Sequence, residues 1–259
     1  MPSSDLRGLT LSTALPVFAV DTLPPAGVVI LDGAEGHHGA TVLRVRPGEL
    51  VELTDGRGGA ARCRVRSVGR DGLQLDVQAL RHEPAPAPRV VVAQALAKGD
   101  HGEQAVDLLT QAGVDEIVPW AAHRCVVRWS GERGERALQR WRSTARAAAK
   151  QSRRVHWPHV TALADTGDVV ARLAAATLGL VLDPRAARPL ADVTAPAAGD
   201  VVIVVGPEGG MTDAELEALT PGVRCRLGPT VFRSSAAGSV AAAVVLARTP
   251  RWLGGARAL

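Results

Sequence analysis

Cysteine is scarce in this chain: Cys63, Cys125 and Cys225 are the only three, and no two share a Cys-x-x-Cys spacing. That pattern excludes a disulfide framework and a thiolate zinc site, and it leaves the three as small buried hydrophobes. Lysine is scarcer still, represented by Lys98 and Lys150 alone. No apolar stretch reaches about 20 residues and no cationic segment leads into an apolar one at the start, so neither a membrane span nor a secretory signal is expected, and a cytoplasmic location follows. His101, His123, His156 and His159 share no ligand spacing, so no metal is expected. The G-x-G-x-x-G and G-x-x-x-x-G-K-[ST] patterns are both missing, which removes the signatures of dinucleotide and P-loop binding.

What is present is enough for a full core. The chain has 259 residues, 46% of them hydrophobic, sufficient for two modest domains or one large one. Its net charge of +4 comes almost wholly from arginine, whose planar fork suits bidentate contact with phosphate. An Ala/Arg/Gly-rich composition also follows from a GC-rich genome, so charge by itself leaves nucleic-acid binding open.

The first eighty residues differ from the rest. Short apolar runs at 28–31, 50–54, 61–68 and 73–77 are separated by Pro47-Gly48, Asp55-Gly56 and Asp71-Gly72, a rhythm that predicts a small antiparallel barrel over 1–81. A stiff Pro/Ala segment at 82–89 reads as a linker. From 90 to 259 strands alternate with helices: strands are expected at 90–96, 116–119, 179–183, 201–205 and 223–227, which predicts an α/β domain with a parallel sheet covered by helices on both faces. A helix of small residues is expected at 235–247, where close backbone approach to a loop, a helix or a second subunit is possible.

The helix expected at 133–151 has two faces. Leu138, Trp141, Ala145 and Ala148 line one, and Arg142, Arg146, Lys150 and Arg153 recur on another with no interleaved carboxylate. A solvated face and a phosphate-binding stripe both fit. Trp120, Trp129, Trp141 and Trp157 read as core or interface packing, with base stacking open to one of them.

The most telling stretch is Val201-Val202-Ile203-Val204-Val205-Gly206-Pro207-Glu208-Gly209-Gly210, a buried strand running into a glycine turn that carries one carboxylate. Thr212 and Glu215 form a Thr-x-x-Glu capping box that opens the next helix. Open α/β sheets bind ligands at such strand ends, although a tight turn without ligand has the same look. A second strand-to-helix loop, Leu227-Gly228-Pro229-Thr230-Val231-Phe232-Arg233-Ser234-Ser235, would lie beside the first if their strands are neighbours, and the two together could cradle an adenosine-like molecule.

These residues, taken in order, resemble the bacterial 16S ribosomal RNA uridine-N3 methyltransferases of the SPOUT superfamily over nearly the full length. His38 with Val42-Leu43-Arg44, Lys98-Gly99-Asp100, the run from Leu109 to Pro119, His123-Arg124-Cys125 and the two glycine loops carry the likeness. The resemblance implies a PUA-like barrel that grips RNA, a methyltransferase domain with a C-terminal trefoil knot, S-adenosylmethionine as cofactor, 16S ribosomal RNA of the small subunit as partner, and a homodimer. It implies cofactor contacts at Leu182, Gly206, Pro207, Glu208, Gly209, Gly210, Leu227, Gly228, Val231 and Phe232, mostly through backbone. Arg233 is then the expected stabiliser of charge on the uracil oxygens, and Glu208 a candidate proton acceptor or a residue that holds its turn. Arg44, Arg46, Arg142, Arg146, Lys150, Arg153 and Arg154 are the expected RNA contacts, with Arg7 a further one from the barrel. Three positions depart from the family pattern: Lys150 where glutamate is common, Thr230 where arginine is usual, and Ser234-Ser235-Ala236 where Thr-Glu-Thr is frequent. A methyltransferase of the same superfamily acting on transfer RNA or a ribose 2′-hydroxyl, and an RNA-binding assembly protein without catalysis, are the other readings.

Overall fold

The computed structural model describes residues 15–70 and 72–253. Arg7 and Asp71, both named above, lie outside these. The chain forms two compact units, one up to Glu83 and one from Pro84 onward.

The first unit is a five-stranded sheet in the order β1 (Val17–Ala19), β3 (Leu50–Thr54), β4 (Gly59–Val68), β5 (Leu73–His82), β2 (Gly27–Leu31). β1 runs parallel to β3, and the other pairs are antiparallel. Alternation along β3 and β4 turns Val51, Leu53, Cys63 and Val65 onto Phe18, Leu73 and Leu75, the unit's core. A short helix α1 (Gly33–His37) continues into a π turn, His38–Val42. β5 runs five residues beyond the apolar run at 73–77, because its far half pairs with β4 up to Gly59↔His82 while its side chains stay exposed and leave no periodic signal. The linker expected over 82–89 is accordingly shorter: His82 closes β5, and Arg89 opens the next strand.

The second unit holds six parallel strands in the order β11 (Val223–Cys225), β9 (Leu178–Leu182), β10 (Asp200–Val205), β6 (Arg89–Ala95), β7 (Glu116–Trp120), β8 (His159–Val160). β6 and β10 are central and almost entirely apolar, as strands covered on both faces must be. Helices α2 (His101–Gln111), α3 (Gly131–Gln151) and α6 (Ser234–Leu246) pack in series, with α6 lying over β6 and β10. α4 (Thr166–Ala175) packs on β9 and on α5 (Asp213–Ala218). The predicted capping box is present: Thr212 Oγ1 accepts from Glu215 N–H at 3.1 Å, and Glu215 Oε2 accepts from Thr212 N–H at 2.8 Å. α7 (Pro250–Leu253) is pinned by Arg251, which donates to Asp115 and to the carbonyls of Pro88 and Gly113.

Among the described residues, no helix is long and apolar enough to cross a membrane. All three cysteines are buried and unpaired, and burial pushes the thiols of Cys63 and Cys225 up to about 11.

Candidate functional site

Parallel pairing aligns three strand ends. Leu182, the last residue of β9, is in register with Val205 on one side and Cys225 on the other, so the loops that follow β9, β10 and β11 leave the sheet at one level. They enclose a cavity of about 410 Å3. The strand order reverses at β10, which lies between β6 and β9, and the outside of such a switch point is where open parallel sheets bind ligands.

Every expected cofactor contact lines this cavity: Leu182, the loop from Gly206 to Gly210, and Leu227, Gly228, Val231 and Phe232. The turn after β10 is tight, with Gly210 N–H donating to Pro207 O at 2.8 Å, and it needs glycine because Gly210 sits at φ +71°. Gly228 is different in kind: a Cβ there would point into open space, so its lack of a side chain keeps the cavity clear.

Glu208 joins two of the loops. Ser234, the first residue of α6, donates its hydroxyl to Glu208 Oε1 at 2.8 Å. Beyond this contact lies a second cavity of about 330 Å3, lined by His101, Glu208, Val231, Phe232, Arg233, Ser234 and Ser235. The two cavities share Glu208, Val231, Phe232 and Ser234, while Arg233 lines only the second.

Further lining residues were not read from the sequence. Arg124 reaches from the loop after β7 and donates to Gly209 O at 3.1 Å, fastening the glycine turn from outside the sheet. Its neighbour His123 gives its N–H to Glu215 Oε1 at 2.7 Å. Burial raises the pKa of the Glu215 carboxyl, but hydrogen bonds from His123 and Thr212 outweigh it and hold the group below its ordinary value. Asp183, Pro184 and Arg185 form the third side. Asp183 is 3% exposed; burial alone would raise its pKa, yet hydrogen bonds from Arg185 and the paired Arg224 lower it, so it stays ionised. The pairing of β9 with β10 and β11 brings Asp183, Pro184 and Arg185 to the glycine loops, and that of β6 with β10 and β7 brings Arg124, whose His123-Arg124-Cys125 run the sequence marked as a likeness but not as a cavity wall.

The expected RNA contacts divide. Arg44 and Arg46 are exposed in the first unit, Arg44 at φ +51°. On α3, Arg142 donates to Val160 O at 3.2 Å and Arg146 lies 5.1 Å over the ring of Trp157, both with exposed side chains, and Lys150 is half-buried. Arg153 follows the helix, exposed, at φ +53°. Arg154 is a correction: it is 9% exposed, and its guanidinium donates to Thr110 O at 2.9 Å, to Val114 O at 2.6 Å and to Asp115 at 3.1 Å. The left-handed turn at Arg153 sends the next side chain inward, where it closes the end of α2 instead of meeting solvent. Of the four tryptophans named above, Trp120 and Trp141 are core, and Trp129 packs edge-on against Trp141 at 5.1 Å.

A parallel α/β unit with glycine loops meeting over a ligand-sized cavity, in a chain that also holds a small β unit, has the layout of a group-transfer enzyme with a nucleotide-like cofactor. Residues 83–246 match the family described as RNA methyltransferase domain, and residues 31–78 match the family described as RNA methyltransferase PUA domain. The chain is 46% identical over 243 residues, 91% of its length, to ribosomal RNA small subunit methyltransferase E of Mycobacterium tuberculosis (strain CDC 1551 / Oshkosh), covering 93% of that protein. It is 30% identical over 218 residues, 80% of its length, to the protein of the same name from Bacillus subtilis (strain 168), covering 85% of it. A crystal structure of ribosomal RNA small subunit methyltransferase E from Neisseria gonorrhoeae bound to S-adenosyl methionine superposes with a TM-score of 0.79 at 25% identity, covering 90% of this chain and 97% of that one. This chain belongs to the RNA methyltransferase family, in the group of ribosomal RNA small subunit methyltransferases E.

Proposed function

We propose that this protein transfers a methyl group from S-adenosylmethionine to N3 of a uridine in 16S ribosomal RNA of the small subunit. The observation that carries the reading is the pair of adjoining cavities that share Glu208 and Ser234: one is built from glycine loops, the other faces the start of α6. The residues fit the cofactor. A cavity of about 410 Å3 falls within the usual small-molecule range of roughly 300–1,000 Å3, Gly228 leaves its floor clear, and Asp183, Arg185 and Arg124 offer both signs of charge to a molecule with an amino, a carboxylate and a sulfonium group.

Leu182, the loop from Gly206 to Gly210, Leu227, Gly228, Val231 and Phe232 would hold the cofactor. When bound, S-adenosylmethionine supplies a methyl carbon on a positively charged sulfur that departs as a neutral thioether. The protein's part concerns the uridine. N3 carries a proton and is a poor nucleophile until the proton leaves, so the site must accept that proton and stabilise the charge left on the ring. Glu208 is the acceptor at the shared wall, and Ser234 fixes the carboxylate. Arg233, at the edge of the second cavity, contributes positive charge toward the uracil oxygens.

The reading includes a C-terminal trefoil knot, a PUA-like barrel that assists in RNA binding, and a homodimer working in the cytoplasm. Compatible with the knot is the strand order, in which β10 lies between β6 and β9 and β11 lies outside β9. Supporting the dimer is a half-exposed stripe of small side chains along α6, comprising Ala236, Ser239, Val240, Ala243 and Val244. Exposed Arg142, Arg146 and Arg153 support RNA contact by the second unit, and Arg44 and Arg46 by the first.

Mass spectrometry of 16S ribosomal RNA from a deletion strain tests the assignment. Loss of one N3-methyluridine, restored by the purified protein acting on small subunits, is the expected result; a fully retained mark overturns it.

A further inference from the structure

The start of α6 has an unusual occupant. Its N-cap residue is Arg233, which makes no side-chain capping bond and has donors only. The carbonyl of Arg233 takes the N–H groups of Ala236 and Ala237, both at 3.0 Å, and helix geometry leaves the N–H groups of Ser234 and Ser235 without an intrahelical acceptor. Ser235 is 4% exposed and lines the second cavity, yet among the described residues its hydroxyl has no hydrogen-bond partner. Gln94 Oε1 is the one fully buried side-chain polar atom without a partner among the described residues, so the Ser235 hydroxyl is open to the cavity, where a ligand or water completes it. Ser234 contrasts with it, because its hydroxyl is committed to Glu208.

The second cavity therefore has an acceptor on one wall, the Glu208 carboxylate, and unspent donors on another. The Watson–Crick edge of uracil is the complement: one N–H donor flanked by two carbonyl acceptors. We propose that Ser235 is a catalytic residue, its hydroxyl together with the free N–H groups at the start of α6 donating to the uracil carbonyl beside N3. This rests on the uridine-N3 reading above. As the N3–H bond breaks, the proton goes to a Glu208 oxygen and the electron pair stays on the ring, spread onto the carbonyl oxygen that Ser235 faces. The positive end of the α6 dipole favours that charge at the same place. Cytosine is rejected by the same wall, since its N3 is a bare acceptor facing a carboxylate and its exocyclic amine is a donor facing fixed N–H groups.

The test compares Ser235→Ala and Ser235→Thr with wild type, using small ribosomal subunits as substrate, calorimetry for S-adenosylmethionine binding and thermal melting for folding. Expected for Ser235→Ala is a kcat lower by roughly 10–100-fold, in the range for a lost oxyanion donor or somewhat below it, with cofactor Kd, melting temperature and KM for RNA close to wild type. Ser235→Thr keeps the hydroxyl and most of the rate. Wild-type kcat in Ser235→Ala overturns the proposal, as does a loss traced to weaker cofactor binding. Should wild type bind cofactor and leave every uridine N3 unmethylated, the functional reading itself fails and this assignment falls with it.

Discussion

Ser234 Oγ and Glu208 Oε1 stand 2.8 Å apart, a single hydrogen bond that ties the start of α6 to the glycine turn after β10 and forms the wall between two cavities. Serine lies on the last of the three loops and glutamate on the middle one, so the bond exists only once β11 has paired beyond β9.

Removing that bond should free the carboxylate without dismantling the cavity. Because Glu208 is exposed, the loss belongs below the roughly 1.5–3 kcal/mol of a buried hydrogen bond to a charged group, at about 1 kcal/mol, or roughly fivefold in rate. Ser234→Ala is expected to lower kcat by that factor, with cofactor affinity within about threefold of wild type; steady-state kinetics and calorimetry check both, and an unchanged kcat removes Ser234 from the positioning of Glu208.

Gly228 offers a steric test of the cofactor cavity. Its Cβ would enter open space and its φ is not in the left-handed region, so a larger residue folds there. Gly228→Leu is expected to keep the melting temperature and to weaken S-adenosylmethionine binding by about tenfold or more, since the side chain takes the ligand's volume. Normal binding in calorimetry would move the cofactor elsewhere.

Arg154 separates burial from RNA contact. Arg154→Met strands the carbonyls of Thr110 and Val114 and leaves Asp115 with Arg251 as its remaining cation. Leaving two buried carbonyls unsatisfied costs about 1–3 kcal/mol each and should lower the melting temperature by roughly 10 °C. RNA affinity measured well below the transition should be unchanged; a selective loss of RNA binding with normal stability would restore Arg154 to the RNA surface.

Arg146 and Arg153 should behave in the opposite way. Both are exposed, so Arg146→Ala and Arg153→Ala are each expected to reduce the slope of log K against log salt by about 0.7–0.9, the value for one phosphate contact. Fluorescence titrations at several salt concentrations measure it, and an unaltered slope assigns the stripe to solvent.

Glu215 gives stability a pH dependence with a definite sign. Its folded pKa lies below the unfolded value of about 4.3, so its contribution is complete above that pH and is lost as pH falls through the lower, folded value. Glu215→Gln is expected to be less stable than wild type at neutral pH and to show a flatter acid limb in denaturant melts between about pH 5 and 3. Parallel acid limbs for the two proteins would show that the carboxylate is not what ties His123 to α5.

Much of the sheet was legible because its signal is local. Five β-branched residues from Val201 to Val205 can hardly be anything but a covered strand, and Thr212 with Glu215 marked the following helix start by spacing alone. The two glycine loops were legible as loops for the same reason. The far half of β5 left no trace, since its side chains face water and its hydrogen bonds run to a partner strand. The fate of the basic run was equally hidden: Arg153 and Arg154 are adjacent and chemically identical, and one is solvent-exposed while the other is buried beneath α2.

Sequence by itself determined the apolar strands of the sheets, the Thr212–Glu215 cap and the glycine turns, because each depends on neighbours within a few positions whose propensities and periodicities are fixed by their own chemistry. Tertiary structure decided what the site is made of. Parallel pairing of β9 with β10 and β11 put Leu182, Val205 and Cys225 at one level, carried Ser234 onto Glu208 and left the Ser235 hydroxyl facing a cavity without a partner, while pairing of β10 with β6 and of β6 with β7 brought Arg124 onto Gly209. Those contacts join residues up to 85 positions apart, and hydrogen bonds of that separation are set by strand order, which no local pattern encodes.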